Sequence, residues 1–435
     1  MKISLLLFAI TVAIMDLVVP KELNFAIICC VMVIFIPLDK VRIYDTSFFK
    51  VLPFLTLVLT GFVLGLYNAE RDFYRDIFIF SKVIIYFYCG LAISKYLKDI
   101  STFVRYFLIF ALVSSLVHIG FVLINLGSAN SLEAIRKAAG FGNDAQAIAA
   151  SIFLSGMFNK SFRRLIKNYS ISYKLFNFVI AVSFLLYFSR TLIVTLVVVS
   201  LFLIDAVYIR KIFSKKNKAV FKVLFVMMFF CFSMIFIASF LPPDSPFARL
   251  VEKFERIPDE VTWNAKKNQT ATLEDINNNW RGYEAYQGLL KFNKGNYFQK
   301  FFGYGFGAKV DLGISMKLGG EYFEEVPILH NAYVTLLVKC GFLGVACYLW
   351  FIYQLGFSKV INKYNRDLEM YYLYQMLSGL CVATLLNTFT MRGLLGSEAA
   401  TIPILLGLAV GIIERRKQTV TSYKPFMPKA LEKVL

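Results

Sequence analysis

A helix that crosses a bilayer needs about 20 mainly apolar residues, because each residue adds ~1.5 Å and the hydrocarbon layer is ~30 Å thick. This sequence reaches that length again and again, as in residues 51–68, 103–126 and 331–354. In lipid the backbone must satisfy its own amides and carbonyls, so such runs fold as helices. With 58% hydrophobic residues and 45 phenylalanines, the expected fold class is an all-α polytopic membrane protein. Twelve transmembrane helices are expected, at roughly 3–20, 23–39, 51–68, 76–94, 103–126, 144–160, 174–188, 191–209, 220–242, 331–354, 368–390 and 398–413. The stretch 174–209 is too long for one crossing, and Ser189-Arg190-Thr191 supplies a polar turn that divides it. The first segment carries Asp16 and no small-x-small cleavage pattern, so it reads as a helix and not a signal peptide.

Lysine and arginine placement orients the bundle. With a cytoplasmic N-terminus, 27 of the 47 basic residues fall in cytoplasmic segments, among them Lys95, Lys98, Arg105 and the tail from Arg415. The positive-inside rule then puts both termini in the cytoplasm and the polar stretch 243–329 outside. The expected division is 1–242 with helices 1–9, 243–329 as an external loop domain with short helices, 330–413 with helices 10–12, and 414–435 as a basic cytoplasmic tail. The net charge of +19 is mostly this topology signal. Basic residues in short separate loops, without a nucleic-acid-binding motif, imply no nucleic-acid partner. The external loop is nearly neutral, with eleven basic and twelve acidic residues. All seven cysteines lie in or beside apolar runs, which gives no ground for a disulfide framework or a CxxC metal site. No metal or other cofactor is expected.

His330 is one of only two histidines. It stands where the long polar loop meets a membrane segment, followed by Asn331, Tyr333, Gly341 and Gly344. An imidazole with an unperturbed pKa near ~6.5 can accept a proton at neutral pH. The bland alternative is a helix start, with Asn331 as its cap and Tyr333 in the interfacial aromatic belt. His118, inside the apolar run 116–120, reads as a packed, hydrogen-bonded residue. Arg71, Arg75, Arg136, Arg190 and Arg392 lie in short external turns, against the charge bias. Guanidinium forks pair bidentately with phosphate oxygens, so several at one membrane face would seat a lipid diphosphate. The alternative is snorkelling, or pairing with a carboxylate such as Asp72, Asp76 or Glu398. Trp280, Arg281, Tyr283 and Tyr286 follow an asparagine-rich stretch, a mixture suited to sugars, although an ordinary folded cap uses the same residues. Gly303-Tyr-Gly-Phe-Gly307 is a candidate phosphate-contacting turn, though any tight turn uses glycine. Lys82 and Lys339 lie within or near spans, where charge is costly, and Lys339 is a candidate to line the lipid entrance.

The order Arg136, Gly140-Phe-Gly-Asn143-Asp144, Ser189-Arg190-Thr191, Trp280-Arg281, Phe302-Gly-Tyr-Gly305 and His330-Asn331 with Gly341 and Gly344 resembles the bacterial O-antigen polymerase and O-antigen ligase superfamily, over roughly residues 130–350. Asn143-Asp144-Ala145 stands where the family usually has Asn-Pro-Asn, and Lys339-Cys340 where an acidic residue often precedes the glycine. The resemblance implies a GT-C-like fold with a periplasmic loop domain, in the bacterial inner membrane, with a periplasmic active site. It implies a metal-independent inverting glycosyltransferase that moves a glycan from undecaprenyl diphosphate to a sugar hydroxyl of a lipid-linked repeat unit. His330, Arg281 and Arg190 are then the catalytic residues, and Arg136, Asn143, Trp280, Asn331, Tyr333 and Arg392 bind substrate. The implied partners are lipid-linked donor and acceptor oligosaccharides, membrane lipids and a chain-length-determining co-polymerase. A polymerase, which must suit its own repeat unit, fits these imperfect copies of the family elements. A ligase acting on lipid A-core is the alternative. A lipid-linked oligosaccharide flippase is a second alternative, but it would more naturally show pseudo-symmetric halves and interrupted helices, and no repeat is evident.

Overall fold

The computed structural model describes residues 23, 25–30, 45–68, 70–97, 99–126, 144–166, 172–187, 189–204, 263, 271–318, 321–357, 367–396 and 400–423. The expected spans 3–20 and 220–242, most of 23–39, and Arg136 and Asn143 lie outside these residues.

The first group of helices is α1 (Asp45–Gly65), α2 (Arg71–Ser94), α3 (Ile100–Leu126), α4 (Asp144–Phe158), α5 (Lys160–Ile166), α6 (Ser172–Leu186) and α7 (Arg190–Leu203). Then come α8 (Leu273–Asn278), α9 (Trp280–Lys294), α10 (Tyr297–Phe302) and the strands β1 (Val310–Leu318) and β2 (Glu321–Val326). Three long helices follow, α11 (Ala332–Gly356), α12 (Leu368–Thr390) and α13 (Thr401–Tyr423). Among the described residues four helices are long and apolar enough to cross a membrane: Phe48–Gly65, Arg71–Ser94, Ile100–Asn125 and Ala332–Gly356. Together with the shorter apolar helices α4, α6 and α7 they make this a membrane protein. The polar turn expected within 174–209 is present, with Ser189 as the N-cap of α7.

Small residues set the close contact between α2 and α13. A Cβ on Gly90 of α2 would run into Ile404 O of α13, and one on Gly407 would run into Phe87 O. Lipid offers apolar side chains no gain from hiding in protein, so membrane helices associate through such close backbone approach. The contacts run Phe87 to Gly407 and Ser94 to Gly411, so the two helices are parallel. Ion pairs then gather at one end of the bundle. Lys50 meets Glu414 at 2.6 Å, Arg415 donates to Ser94 O at 2.9 Å, and Arg416 meets Asp367 at 2.9 Å. These are residues that the lysine and arginine distribution assigns to a single side of the membrane. Helix α13 runs through this cluster to Tyr423.

The expectation of an all-α chain needs correction, because β1 and β2 form an antiparallel hairpin. Val310 pairs with Val326 and Met316 with Phe323, with an irregularity between Asp311 and Met316. Apolar residues alternate at 310, 312, 314, 316 and 318, the period-two pattern of a strand buried on one face. Val310, Leu312 and Met316 pack with Trp263, Ile276 and Tyr283 into a second core beside the main helical one. The Tyr283 hydroxyl donates to Leu312 O and ties α9 to the hairpin.

Overpacking a close contact costs about 1–3 kcal/mol. Gly407→Leu is therefore expected to lower the thermal unfolding midpoint in detergent. Gly120→Leu, where a Cβ meets nothing within 4 Å, leaves it unchanged. Equal midpoints for the two variants would contradict the α2–α13 contact.

Candidate functional site

The apolar run 331–354, expected as one crossing, is broken. Gly341 has φ 66° and ψ −163°, a conformation open essentially to glycine alone. The bend is sharp, because the Tyr333 and Tyr348 rings lie 6.1 Å apart. On a straight helix their positions would be separated by about 22 Å. Ending a helix at Gly341 strands the carbonyls before it. The 303–307 turn fills the break and takes them. Tyr304 N–H donates to Val338 O at 2.8 Å and Gly305 N–H to Lys339 O at 2.9 Å, while Phe306 N–H donates to Gly61 O at 2.8 Å. A Cβ on Gly303 would collide with the Lys339 carbonyl, and one on Gly341 with the Phe301 carbonyl. Gly307 N–H donates to Asp76 Oδ2 at 2.7 Å. The amides of 304–307 are thus all used inside the protein, which corrects the reading of this turn as a phosphate contact.

Lys339 is also corrected. It does not line an entrance: it is 1% exposed and ion-paired with Asp76 of α2, which is 0% exposed. Its ammonium also donates to Ala308 O at 3.0 Å. Three segments, α2, the glycine turn and α11, therefore meet on a single buried ion pair. Lys82 donates to Gly396 O, and His118 Nδ1 lies 3.0 Å from Ser183 Oγ with its ring stacked on Tyr187, the packed state expected for it.

The break leaves residues 332–340 as a short helix with His330 just before its start. Asn331 caps it, accepting from Val334 N–H at 3.2 Å. Thr335 Oγ1 accepts from Leu329 N–H at 3.2 Å and donates to Asn331 O at 3.2 Å, so the turn carrying His330 is held on both sides. The His330 ring meets a carboxylate, Glu284, that no local feature of the sequence singles out. Its Nδ1 is 2.6 Å from Glu284 Oε2, and its backbone N–H donates to the same oxygen at 3.1 Å. The Glu284 side chain is 3% exposed, while that of His330 is 32% exposed. With Nδ1 on the carboxylate, Nε2 is the ring nitrogen left for other partners. Glu284 gets this close because Gly288, one turn further along α9, lets the helix press on the turn. A Cβ there would come within 2.5 Å of Leu329 and Val334 side-chain carbons.

Arg281 precedes Glu284 by three residues, so the two share a face of α9. Trp280 packs 6.1 Å from the Tyr283 ring and is partly buried against the second core. The Tyr333 hydroxyl donates to Leu385 O at 3.0 Å, and Asn387 donates to Thr195 Oγ1 at 2.9 Å. These two bonds put the start of α11, the last turns of α12 and the first turns of α7 in one layer. Arg190 opens α7, and Arg392 lies just beyond α12. Arg75 instead pairs with Asp72 at 3.1 Å, the alternative reading for that arginine. Lys309 joins Asp72 at 3.4 Å and Glu70 at 3.2 Å, and its hydrogen bond to Glu70 raises its pKa. On α9, burial lowers the pKa of Lys291, whose ammonium donates to Lys309 O and lies over the Tyr304 ring. Among the described residues no group of three or more His, Cys, Asp and Glu side chains could hold a metal ion.

Residues 175–349 match the O-antigen ligase family. The matched stretch runs from α6 into α11 and contains Arg190, Arg281, Glu284, His330, Gly341 and Gly344. The family resemblance drawn from the motifs is shown over this part of the chain. Arg136, Asn143 and Arg392 fall outside the match. No curated protein matches the sequence. Polymerase and ligase chemistry both belong to the class that the O-antigen ligase family supports.

Removing one partner of a buried ion pair costs about 3–5 kcal/mol, whereas replacing both by apolar residues is often neutral. Asp76→Ala is expected to destabilise the protein by that order in denaturant unfolding, and Asp76→Leu combined with Lys339→Met to recover most of the loss. An Asp76→Ala protein as stable as wild type would show that the pair carries no structural weight.

Proposed function

We propose that this protein is a surface-polysaccharide polymerase, moving a glycan from undecaprenyl diphosphate to a sugar hydroxyl of a lipid-linked repeat unit at the periplasmic face. The observation that carries the reading is His330, partly exposed and gripped through Nδ1 by buried Glu284, with Arg281 one turn away on the same helix. All three lie in the family-matched stretch. The acceptor oxygen attacks the anomeric carbon as the bond from that carbon to the diphosphate oxygen breaks. His330 Nε2 receives the hydroxyl proton, and the departing diphosphate takes the bonding electrons. Arg281 and Arg190 meet the charge that develops on it, as fixed electrostatic partners. Attack opposite the leaving group inverts the anomeric centre. Arg136, Asn143, Trp280, Asn331, Tyr333 and Arg392 are proposed to seat the substrates around this centre. In Asn331 and Tyr333 the Oδ1 and the hydroxyl proton are already engaged with backbone, so their part is to shape the site.

A ligase delivering the glycan to lipid A-core is the second reading, favoured by the description of the matched family. The flippase reading draws on one feature, the interruption of α11 at Gly341. In transporters such breaks present bare backbone to a substrate or ion. Here the freed carbonyls of Val338 and Lys339 are taken by Tyr304 and Gly305 amides, so the break serves packing.

The lipopolysaccharide ladder of a deletion strain complemented with variants tests the reading. Losing a general base costs ~10²–10⁴-fold in rate, so His330→Ala, and likewise Arg281→Ala, should leave core bearing a single repeat unit. Glu284→Gln should shorten the ladder without abolishing it. Core without any repeat, with polymer held on undecaprenyl diphosphate, would select the ligase instead. An unchanged ladder from stably inserted His330→Ala protein would remove His330 from the chemistry.

A further inference from the structure

Helix α10 is six residues long, yet three of its aromatic side chains are left open. Tyr297 is 92% exposed, Phe298 56% and Phe301 50%. A short helix with such a face is not weakly built. Asn296 and Gln299 close a capping box at its start, and its end is pinned where the Phe301 carbonyl abuts Gly341. The exposed rings are therefore held outward by a rigid frame.

The neighbouring surface continues the pattern. Phe342, the first residue after the break in α11, is 56% exposed and packs edge-on to Phe292 of α9 at 5.2 Å. Further along α11, Trp350 and Tyr353 are also open. Beyond the break, the run of α11 from Phe342 to Gly356 is apolar and carries no charged residue. The patch on α10 is thus continued, through Phe301 and Gly341–Phe342, by an uncharged apolar helix with its own open aromatic rings. Lys294 and Lys300 flank it. Aromatic rings edged by lysines are what the bilayer interface accommodates, with rings among headgroups and acyl ends and ammonium groups towards phosphate.

We propose that α10 and Phe342 form an interfacial anchor that seats the α8–α10 and hairpin unit on the bilayer surface, with Tyr297, Phe298 and Phe301 inserted among the lipids. The anchor lies at the other end of α9 from Glu284. It fixes the height of that helix above the membrane plane, and so the height at which His330 is presented. The anchor stands on surface chemistry alone and does not depend on the proposed reaction.

Depth-dependent quenching in proteoliposomes tests it. Trp263, Trp280 and Trp350 are replaced by Phe in the full chain, a cooperative thermal transition is verified, and single reporters are added as Phe298→Trp, Phe301→Trp or, on the hairpin, Tyr322→Trp. Phosphatidylcholine brominated along its acyl chains should quench the Phe298 and Phe301 reporters several-fold more than the Tyr322 reporter, at every protein density. Quenching no stronger than at Tyr322 would overturn the proposal. So would shielding from both aqueous and brominated-lipid quenchers that grows with protein density, since a second copy would then be covering the face.

Discussion

The rest of the structure depends on the break in α11 at Gly341. A continuous helix of this length would cross the bilayer once and leave nothing to build with at its N-terminal end. The break turns its first nine residues aside, and the carbonyls it strands must find donors. The 303–307 turn supplies them, which draws the segment after α10 down between α1, α2 and α11. The Asp76–Lys339 pair lies at the same junction and accepts Gly307 N–H as well. Membrane helices and the loop-derived unit are therefore joined through paired polar groups in a buried place, where removing a partner would cost several kcal/mol. All the bonds to Asp76 at this junction fall on Oδ2, while its Oδ1 is buried without one.

The candidate site follows from that junction. Because residues 332–340 are turned aside, their N-terminal end can meet α9 and the last turns of α12 together. Gly288 allows α9 to come close enough for Glu284 to bond both the ring and the backbone of His330. Arg281 then lies one turn away by helical geometry alone. Arg190 opens α7 and Arg392 follows α12, the two helices that the Asn387–Thr195 bond joins. Residues far apart in sequence thus gather at one end of the bundle, opposite the cluster of Lys50, Glu414 and Arg416.

Much of this was legible in the sequence because hydrophobic length and charge placement are local signals. The described helices, the turn at Ser189 and the packed state of His118 follow from such signals. The hairpin is equally legible in the alternation at 310–318, a period-two pattern set inside a polar loop. The break at Gly341 was not readable, because a lone glycine in an apolar run is tolerated in a straight helix, and only the partners from 303–307 decide its conformation. For the same reason Lys339 read as an entrance residue and the glycine turn as a phosphate contact. Each depends on a neighbour more than 30 residues away. Glu284 is the instructive case. It stands three residues after Arg281, but nothing local separates it from the eleven other acidic residues of the loop, and only burial against His330 does so.

The reaction proposed for His330, Arg281 and Arg190 is the transfer of a glycan from a lipid diphosphate to a hydroxyl by direct displacement. The most direct measurement uses purified protein in nanodiscs with a lipid-diphosphate-linked oligosaccharide of known anomeric configuration and the matching acceptor. The products are read by mass spectrometry and by NMR of the new linkage. The expected result is release of the polyprenyl diphosphate only when acceptor is present, with one new glycosidic bond of inverted configuration. A new bond of retained configuration, or no transfer by protein whose fold and insertion are verified, would contradict the account.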